Sequence, residues 1–580
     1  MTPFEVWAPH ARERVDVLVD GVRHPMRARE RGWWRADVDA SAGVAYAFSL
    51  DGGDPLPDPR ARRLPDGPEA PAEVFDVNGF AWNDDDWAGV RLDGAVVYEM
   101  HIGTFTPAGT FDAAVERLDH LVDLGVDVVE VMPVNTFPGR DGWGYDGVGL
   151  FAVHEPYGGP RGLQRFVDAC HGRGLGVCLD VVYNHLGPLG NHLGEFGPYF
   201  TDRYATPWGP ALNLDDDGSD EVRRFVLENV VQWLRDFHVD ALRLDAVHAL
   251  FDSRARPLLE EMSALVDALA DEVGRPLWLV AESDRNDPRT VTPRSEGGLG
   301  LHAQWADDVH HALHVLLTGE TQGYYADFAG PGVLEHVLSR VFLHEGTYSS
   351  FRGHTHGRPV DRDRVPGWRF VVALQTHDQV GNRAVGDRLS SSLDPGRLAC
   401  GAALLLTSAG TPMLFMGEEW GASTPWQYFT DHPDPAIAQA VRKGRRDEFA
   451  AHGWDRGNVP DPESPQTVDR SRLDWDERGR EPHARLLDWY RALIRLRRDR
   501  ADLRDPDLRR VVVRHDAQAR TVVVHRGAHR VAVNLSDDPR TVDTEAGGLA
   551  VLLAWEQTRL EGGSVLLPAR SACVLGPATG

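Results

Sequence analysis

The sequence predicts an α/β protein: a (β/α)8 TIM barrel with an N-terminal β-sandwich domain and a C-terminal all-β domain. Three observations predict it. Strand-like apolar runs alternate with amphipathic helical ones through most of the 580 residues, as βα repetition requires. Eight such strands can be marked, the number that closes a barrel. Both ends of the chain break that pattern and read as short β-runs between turn clusters.

In chain order, residues 1–88 carry VDVLVD, WWRADV and AYAFSL between the turn cluster DGG and a Pro-rich stretch at 55–71, the pattern of a small sandwich. WNDDDWAG at 82–89 reads as a linker. The barrel is expected over 89–500, with strands at 95–105, 126–134, 175–184, 240–247, 277–283, 301–306, 370–377 and 412–417. Amphipathic stretches at 111–123, 161–172, 220–237 and 253–272 supply helices between them. Insertions at 186–219 and 320–368 are long loops of the kind that shape a barrel's cleft. Over 501–580, RRVVVRHD, RTVVVHR, HRVAVNLS and SVLLPARSACVLG return to β-alternation and predict a second sandwich. Several domains also suit the length, which exceeds what one core supports.

Composition excludes some functions. With 88 acidic residues against 61 basic ones the formal charge is -27, a field that repels phosphate backbones and anionic lipid surfaces. Neither nucleic acid nor a membrane is an expected partner; a neutral sugar is indifferent to that field. The opening MTPFEVWAPHARERVDV has no cationic leader followed by an apolar stretch. Cys170, Cys178, Cys400 and Cys573 show no CxxC spacing, which suits buried apolar roles in a reducing, cytoplasmic compartment. The 25 histidines show no HExxH and no convincing ligand spacing. No metal site and no cofactor are expected, and the chain is expected to act as a monomer or weak homo-oligomer.

Four polar clusters fall at the C-terminal ends of candidate strands, where barrel enzymes place their active sites. In DVVYNH (180–185), period two separates Asp180, Val182 and Asn184 from Val181, Tyr183 and His185, and His185 at the strand end can bond a sugar hydroxyl; a structural hydrogen-bond set is the alternative. In VDALRLDAVH (239–248), Arg243 and Asp245 share a strand face, so the guanidinium can hold the carboxylate ionised and oriented, as a nucleophile needs. His248 lies just beyond. In LWLVAESD (277–284), Glu282 ends an apolar strand, and apolar walls raise a carboxyl pKa as a general acid needs. Adjacent strands lie about 4.8 Å apart, and a carboxyl pair about 5 Å apart is the retaining arrangement. In VVALQTHDQVGN (371–382), Asp378 can oppose the charge of an oxocarbenium-like transition state while His377 binds the same ring. GWGYDG (142–147) offers Tyr145 as a face for a pyranose.

DVVYNH, ALRLDAVH, VAES and QTHD, in that order, resemble the four signature segments of the α-amylase family of glycoside hydrolases. The resemblance implies Asp245 as nucleophile, Glu282 as acid/base and Asp378 as transition-state stabiliser, with Tyr145, His185, Arg243 and His377 touching the sugar at the cleavage point. It also implies the N-terminal sandwich of the branching and debranching members. YEMHIGTFTPAGTF, AESDRNDPR, QWADDVHHALH and MGEEWGASTPWQYFTDH look closer still to members that release trehalose from maltooligosyltrehalose. His248, Ser283 and Asp284 would then meet the trehalose. A glycogen branching or debranching enzyme is the alternative. One departure from the wider family is Thr376 before His377, a small polar residue that should leave Asp378 in place.

Overall fold

The computed structural model describes residues 2–451, 459–545 and 547–578, of 448–451 the backbone alone. At its centre eight parallel strands close into a barrel. They are β1 (Val97–Met100), β2 (Val128–Val131), β3 (Gly176–Val181), β4 (Ala241–Leu244), β5 (Trp278–Ala281), β6 (Ala303–Trp305), β7 (Phe370–Ala373) and β8 (Thr411–Phe415). Each falls within an expected segment apart from a residue at the start of β8, and every residue in them is buried. Burial on both faces is why they read as continuous apolar runs and not as alternation.

Strand parity connects this core to the site. Val97, Val128, Cys178 and Ala241 belong to one apolar cluster that fills the lower barrel. Two residues further along the same inward faces stand Glu99, Glu130, Asp180 and Arg243, all buried, because successive side chains on a strand alternate faces. The interior therefore turns from apolar to ionisable toward its C-terminal mouth.

The N-terminal segment packs a three-stranded sheet (Thr2–Trp7, Trp33–Val38, Arg27–Ala28) with a four-stranded one (Val22–Pro25, Val15–Val19, Ala45–Leu50, Ala72–Glu73). After the helix His483–Asp499, a five-stranded and a three-stranded sheet enclose Val523, Ala532, Val542, Val565, Leu567, Cys573 and Leu575. The insertion at 186–219 forms a hairpin, Phe200–Thr206 with Gly209–Leu212, and that at 320–368 another, Thr347–Ser349 with His354–His356.

Four expectations need correction. Residues 102–105 form a helical turn and not the end of the first strand. Helix Leu258–Val273 starts only after Pro257, so 253–257 are not helical; the fixed φ of proline suits a helix start and not its interior. Residues 501–510 hold 3-10 turns, and the first strand beyond them starts at Val511. Finally, 82–89 is no free linker but a strap under the barrel. Trp82 stacks on His238 and Trp87 on His171, while the Trp87 indole N–H donates to Asp240 at 2.8 Å. Asp84 accepts from His171 at 2.8 Å and from His238 at 2.9 Å.

Burial pushes the Asp84 carboxyl up, but the two histidine hydrogen bonds outweigh it and hold it well below the usual range. A depressed carboxyl contributes stability that is present above its unfolded pKa of about 4 and lost as pH falls through the folded value. Asp84→Ala should lower unfolding stability by roughly 3 kcal/mol at neutral pH, because it takes from the buried His171 and from His238 the carboxylate that bridges them. The deficit should shrink in acid, which urea titrations at neutral and acidic pH would measure.

Candidate active site

β4 and β5 pair in register with Leu244 beside Ala281. The next residue of each strand is Asp245 and Glu282, so the two carboxylates leave the barrel mouth side by side at interstrand spacing. One guanidinium reaches both: Arg243 Nη1 donates to Asp245 Oδ1 at 2.7 Å, and Nη2 lies 3.9 Å from Glu282 Oε2. Arg243 is itself fully buried, with its guanidinium 4.4 Å from the Trp305 ring centroid, and Asp180 accepts from it through both oxygens at 3.0 and 2.9 Å. A planar cation held this way cannot rotate, and it fixes the orientation of whatever it bonds. The Asn184 amide locks the other Asp245 oxygen at 2.7 Å.

Between the two acids, Ala246 adopts φ 40° and ψ 51°, a left-handed conformation at a residue with a Cβ. Such strain, of order 1–3 kcal/mol, persists only where surroundings enforce it. Here the Ala246 N–H donates to Glu282 Oε2 at 2.7 Å. Glu282 is nonetheless pushed up to about 8, first by burial and then by Asp245, Asp307 and Asp378, against the opposing pull of Arg243. It carries its proton at neutral pH.

The third acid approaches from β7. The short helix His377–Gly381 starts on Thr376, whose hydroxyl accepts from the Asp378 N–H at 3.2 Å. The departure at Thr376 thus caps the helix that presents Asp378, and the Asp378 side chain is 44% exposed, against 14% for Asp245 and for Glu282. It is the acid most open to a ligand. His377 is buried, with Nε2 3.4 Å from Asp378 Oδ1. Burial lowers its pKa, but Asp378 and Glu99 outweigh that and push it up to about 9. The Tyr145 ring lies nearly parallel to His377, centroids 5.1 Å apart, and its hydroxyl donates to Asp180 at 2.6 Å.

The remaining expected residues rim this centre. His185 is 7% exposed; its Nδ1 bonds the Asn184 side-chain oxygen, and its ring stacks on the half-exposed Trp208 of the first hairpin at 5.3 Å. Burial pulls the His248 pKa down, and its Nδ1 is buried without a partner among the described residues. Asp284 is half exposed, 3.5 Å from Arg352 of the second hairpin. Arg243, expected at the sugar, is buried completely and bonds Asp180 and Asp245.

The alpha amylase catalytic domain model matches residues 75–193, and a domain of unknown function, DUF3459, matches 506–574. A protein from Arthrobacter ramosus named malto-oligosyltrehalose trehalohydrolase is 53% identical over 99% of both chains. The chain belongs to the malto-oligosyltrehalose trehalohydrolase family. Further relatives of that name extend to 42% identity, the one from Deinococcus radiodurans over 93% of this chain and 88% of its own. A crystal structure of a Salmonella typhimurium protein assigned as an alpha amylase superposes with a TM-score of 0.90 at 38% identity, covering 99% of this chain and 97% of that one.

In this member of the family, several residues at the site were not singled out by the sequence: Glu99, Glu130, Trp305 and Asp307, while Asn184 showed only as a member of the DVVYNH cluster. For Glu99 and Glu130 the signal was present, since an acid inside an apolar parallel strand has no solvent to face and must point into the barrel. Trp305 and Asp307 carried none, because tryptophan on a strand and aspartate at a helix start are ordinary there.

Proposed function

We propose that the chain is a retaining glycosidase that cleaves the α-1,4-glucosidic bond next to the terminal trehalosyl unit of maltooligosyltrehalose and releases trehalose, a step of trehalose biosynthesis. The observation that carries the chemistry is the Arg243 clamp, which holds an ionisable pair at the barrel mouth with its two members in different roles. Asp245, bonded by Arg243 and Asn184, attacks the anomeric carbon as its bond to the glycosidic oxygen breaks. Glu282 gives its proton to that oxygen, which departs as the O4 hydroxyl of trehalose. Water then attacks the same carbon, returns a proton to Glu282 and frees Asp245, so two inversions leave the α configuration. Asp378, close to the imidazolium of His377, opposes the positive charge that builds on the ring between the two acids.

Tyr145, His185 and His377 border the glucose at the cleavage point, and Arg243 serves it through Asp245. His248 and Asp284, beyond strands β4 and β5, suit the departing trehalose. The buried unpartnered Nδ1 of His248 is a polar group that a sugar hydroxyl would satisfy. A cytoplasmic site of action agrees with four buried free thiols. Among the described residues no helix is long and apolar enough to cross a membrane.

A branching or debranching activity has less support, because the near-full-length relatives carry the trehalohydrolase name. Incubation with maltooligosyltrehalose and, separately, with plain maltooligosaccharide decides between them. Trehalose should appear from the first substrate only; gain or loss of α-1,6 branches without trehalose would overturn the proposal.

The pH dependence follows from Glu282. Its raised pKa keeps the catalytic proton in place below about 8 and loses it above, so kcat should fall tenfold per pH unit on the alkaline side of about 8. Initial rates from pH 5 to 10 check this; a flat profile beyond pH 9 would remove Glu282 from the acid role.

A further inference from the structure

Glu99 lies on β1, on the far side of the barrel mouth from Glu282, and has no place in the reaction described above. It is 1% exposed, and both its oxygens are spent on one residue: Oε1 meets His377 Nδ1 at 2.5 Å and Oε2 accepts the His377 backbone N–H at 2.9 Å. A carboxylate buried at this depth costs several kcal/mol unless its partner is charged.

Hydrogen-bond accounting shows what that partner must be. The Tyr145 hydroxyl has one proton and donates it to Asp180. It can therefore only accept from His377 Nε2, 2.9 Å away, so Nε2 carries a hydrogen. Nδ1 faces the Glu99 carboxylate and carries the other. We propose that Glu99 is a positioning residue which holds His377 as an imidazolium beside Asp378, and that turnover depends on this charge being fixed. This deepens the proposed function, since it rests on Asp378 and His377 serving the same glucose ring.

The groups facing the ring from other elements agree. Asp180 and Arg243 pair with each other. Glu130, deeper in the barrel, is pushed up to about 8 by burial and is neutral, and His101 is pulled down to about 3 by burial and is neutral too. Tyr145 is held far above its ordinary value by burial and stays protonated. Among the described residues that leaves Glu99 and Asp378 as the acids beside His377, and of these two Glu99 also grips its backbone. The same two bonds set the start of the helix His377–Gly381, so the charge on the ring and the placement of Asp378 come from one side chain.

The test uses the full-length enzyme on maltooligosyltrehalose. Glu99→Gln keeps the shape but removes the charge, so His377 should titrate at lower pH. We expect kcat to fall roughly 10- to 100-fold with KM little changed, and the alkaline limb that Glu282 sets in the parent enzyme to give way to one set by His377 at least about one pH unit lower. In a His377→Asn background the same substitution should change kcat less than about twofold, because Glu99 acts through the histidine. Glu99→Asp, which keeps the charge but withdraws it by one methylene, should lower kcat without moving the limb, and this loss too should vanish in the His377→Asn background. That variant carries the test where Glu99→Gln misfolds. A wild-type pH profile in Glu99→Gln, a lower melting temperature as the sole change, or undiminished losses in the His377→Asn background would each overturn the inference. If such variants still release trehalose, the role of Glu99 alone is lost; if the wild-type enzyme releases none, the underlying function is.

Discussion

Asp245→Asn should leave the protein folded and reduce kcat on maltooligosyltrehalose by at least about 10⁴-fold, equivalent to some 5.5 kcal/mol of lost transition-state stabilisation. The amide matches the carboxylate in size, and its oxygen can still accept from Arg243 Nη1, now at 2.7 Å from Asp245 Oδ1. The buried guanidinium also keeps both Asp180 bonds, so it is not stranded and the fold should survive. What disappears is the anion that attacks the anomeric carbon, and no other acid can substitute. Glu282 is protonated, and Asp378 approaches from β7 against His377. Initial rates and thermal unfolding of the purified variant check both halves of this expectation. A drop of less than tenfold in a folded protein would remove Asp245 from the nucleophile role.

Glu282→Gln should reduce kcat on the natural substrate by roughly 10²- to 10⁴-fold, the span that a positioned proton donor contributes. The loss should depend on the leaving group. An α-glucosyl fluoride expels a weakly basic anion that needs no proton, so attack by Asp245 on it should be nearly as fast as in the parent enzyme. The intermediate should then accumulate, because Glu282 also activates the water of the second step. A burst of fluoride followed by slow turnover is the expected signature. Equal losses on both substrates would point instead to collapse of the Arg243 clamp. The alkaline limb near pH 8 should also vanish from the variant, since glutamine has no proton to lose.

Much of this was legible in the residues, and the reasons differ from place to place. The strands of the barrel showed as apolar runs because parallel strands covered on both faces have nowhere to put polar side chains. The acids Asp245 and Glu282 stood out because each follows directly on such a run, and Asp378 because it lies four residues past the apolar VVAL. Arg243 showed as a partner of Asp245 because two positions along a strand share a face. Its complete burial did not show, since parity gives a face and not a depth. The strap at 82–89 was misread for a related reason: its tryptophans and aspartates look solvated until the stacking of Trp82 on His238 and the Asp84 bridge are seen.

The sequence by itself determined which elements form and which side chains stand at their ends, because hydrophobic period and chain parity are local properties. The tertiary structure alone decided which of those ends meet. Closing the sheet sets β1 beside β8 and β2, some 300 residues from β8 along the chain, and so delivers Glu99 to His377 and one guanidinium to two carboxylates. Pairing of buried charges depends on distances of a few ångströms between remote segments, and a linear pattern does not carry that information.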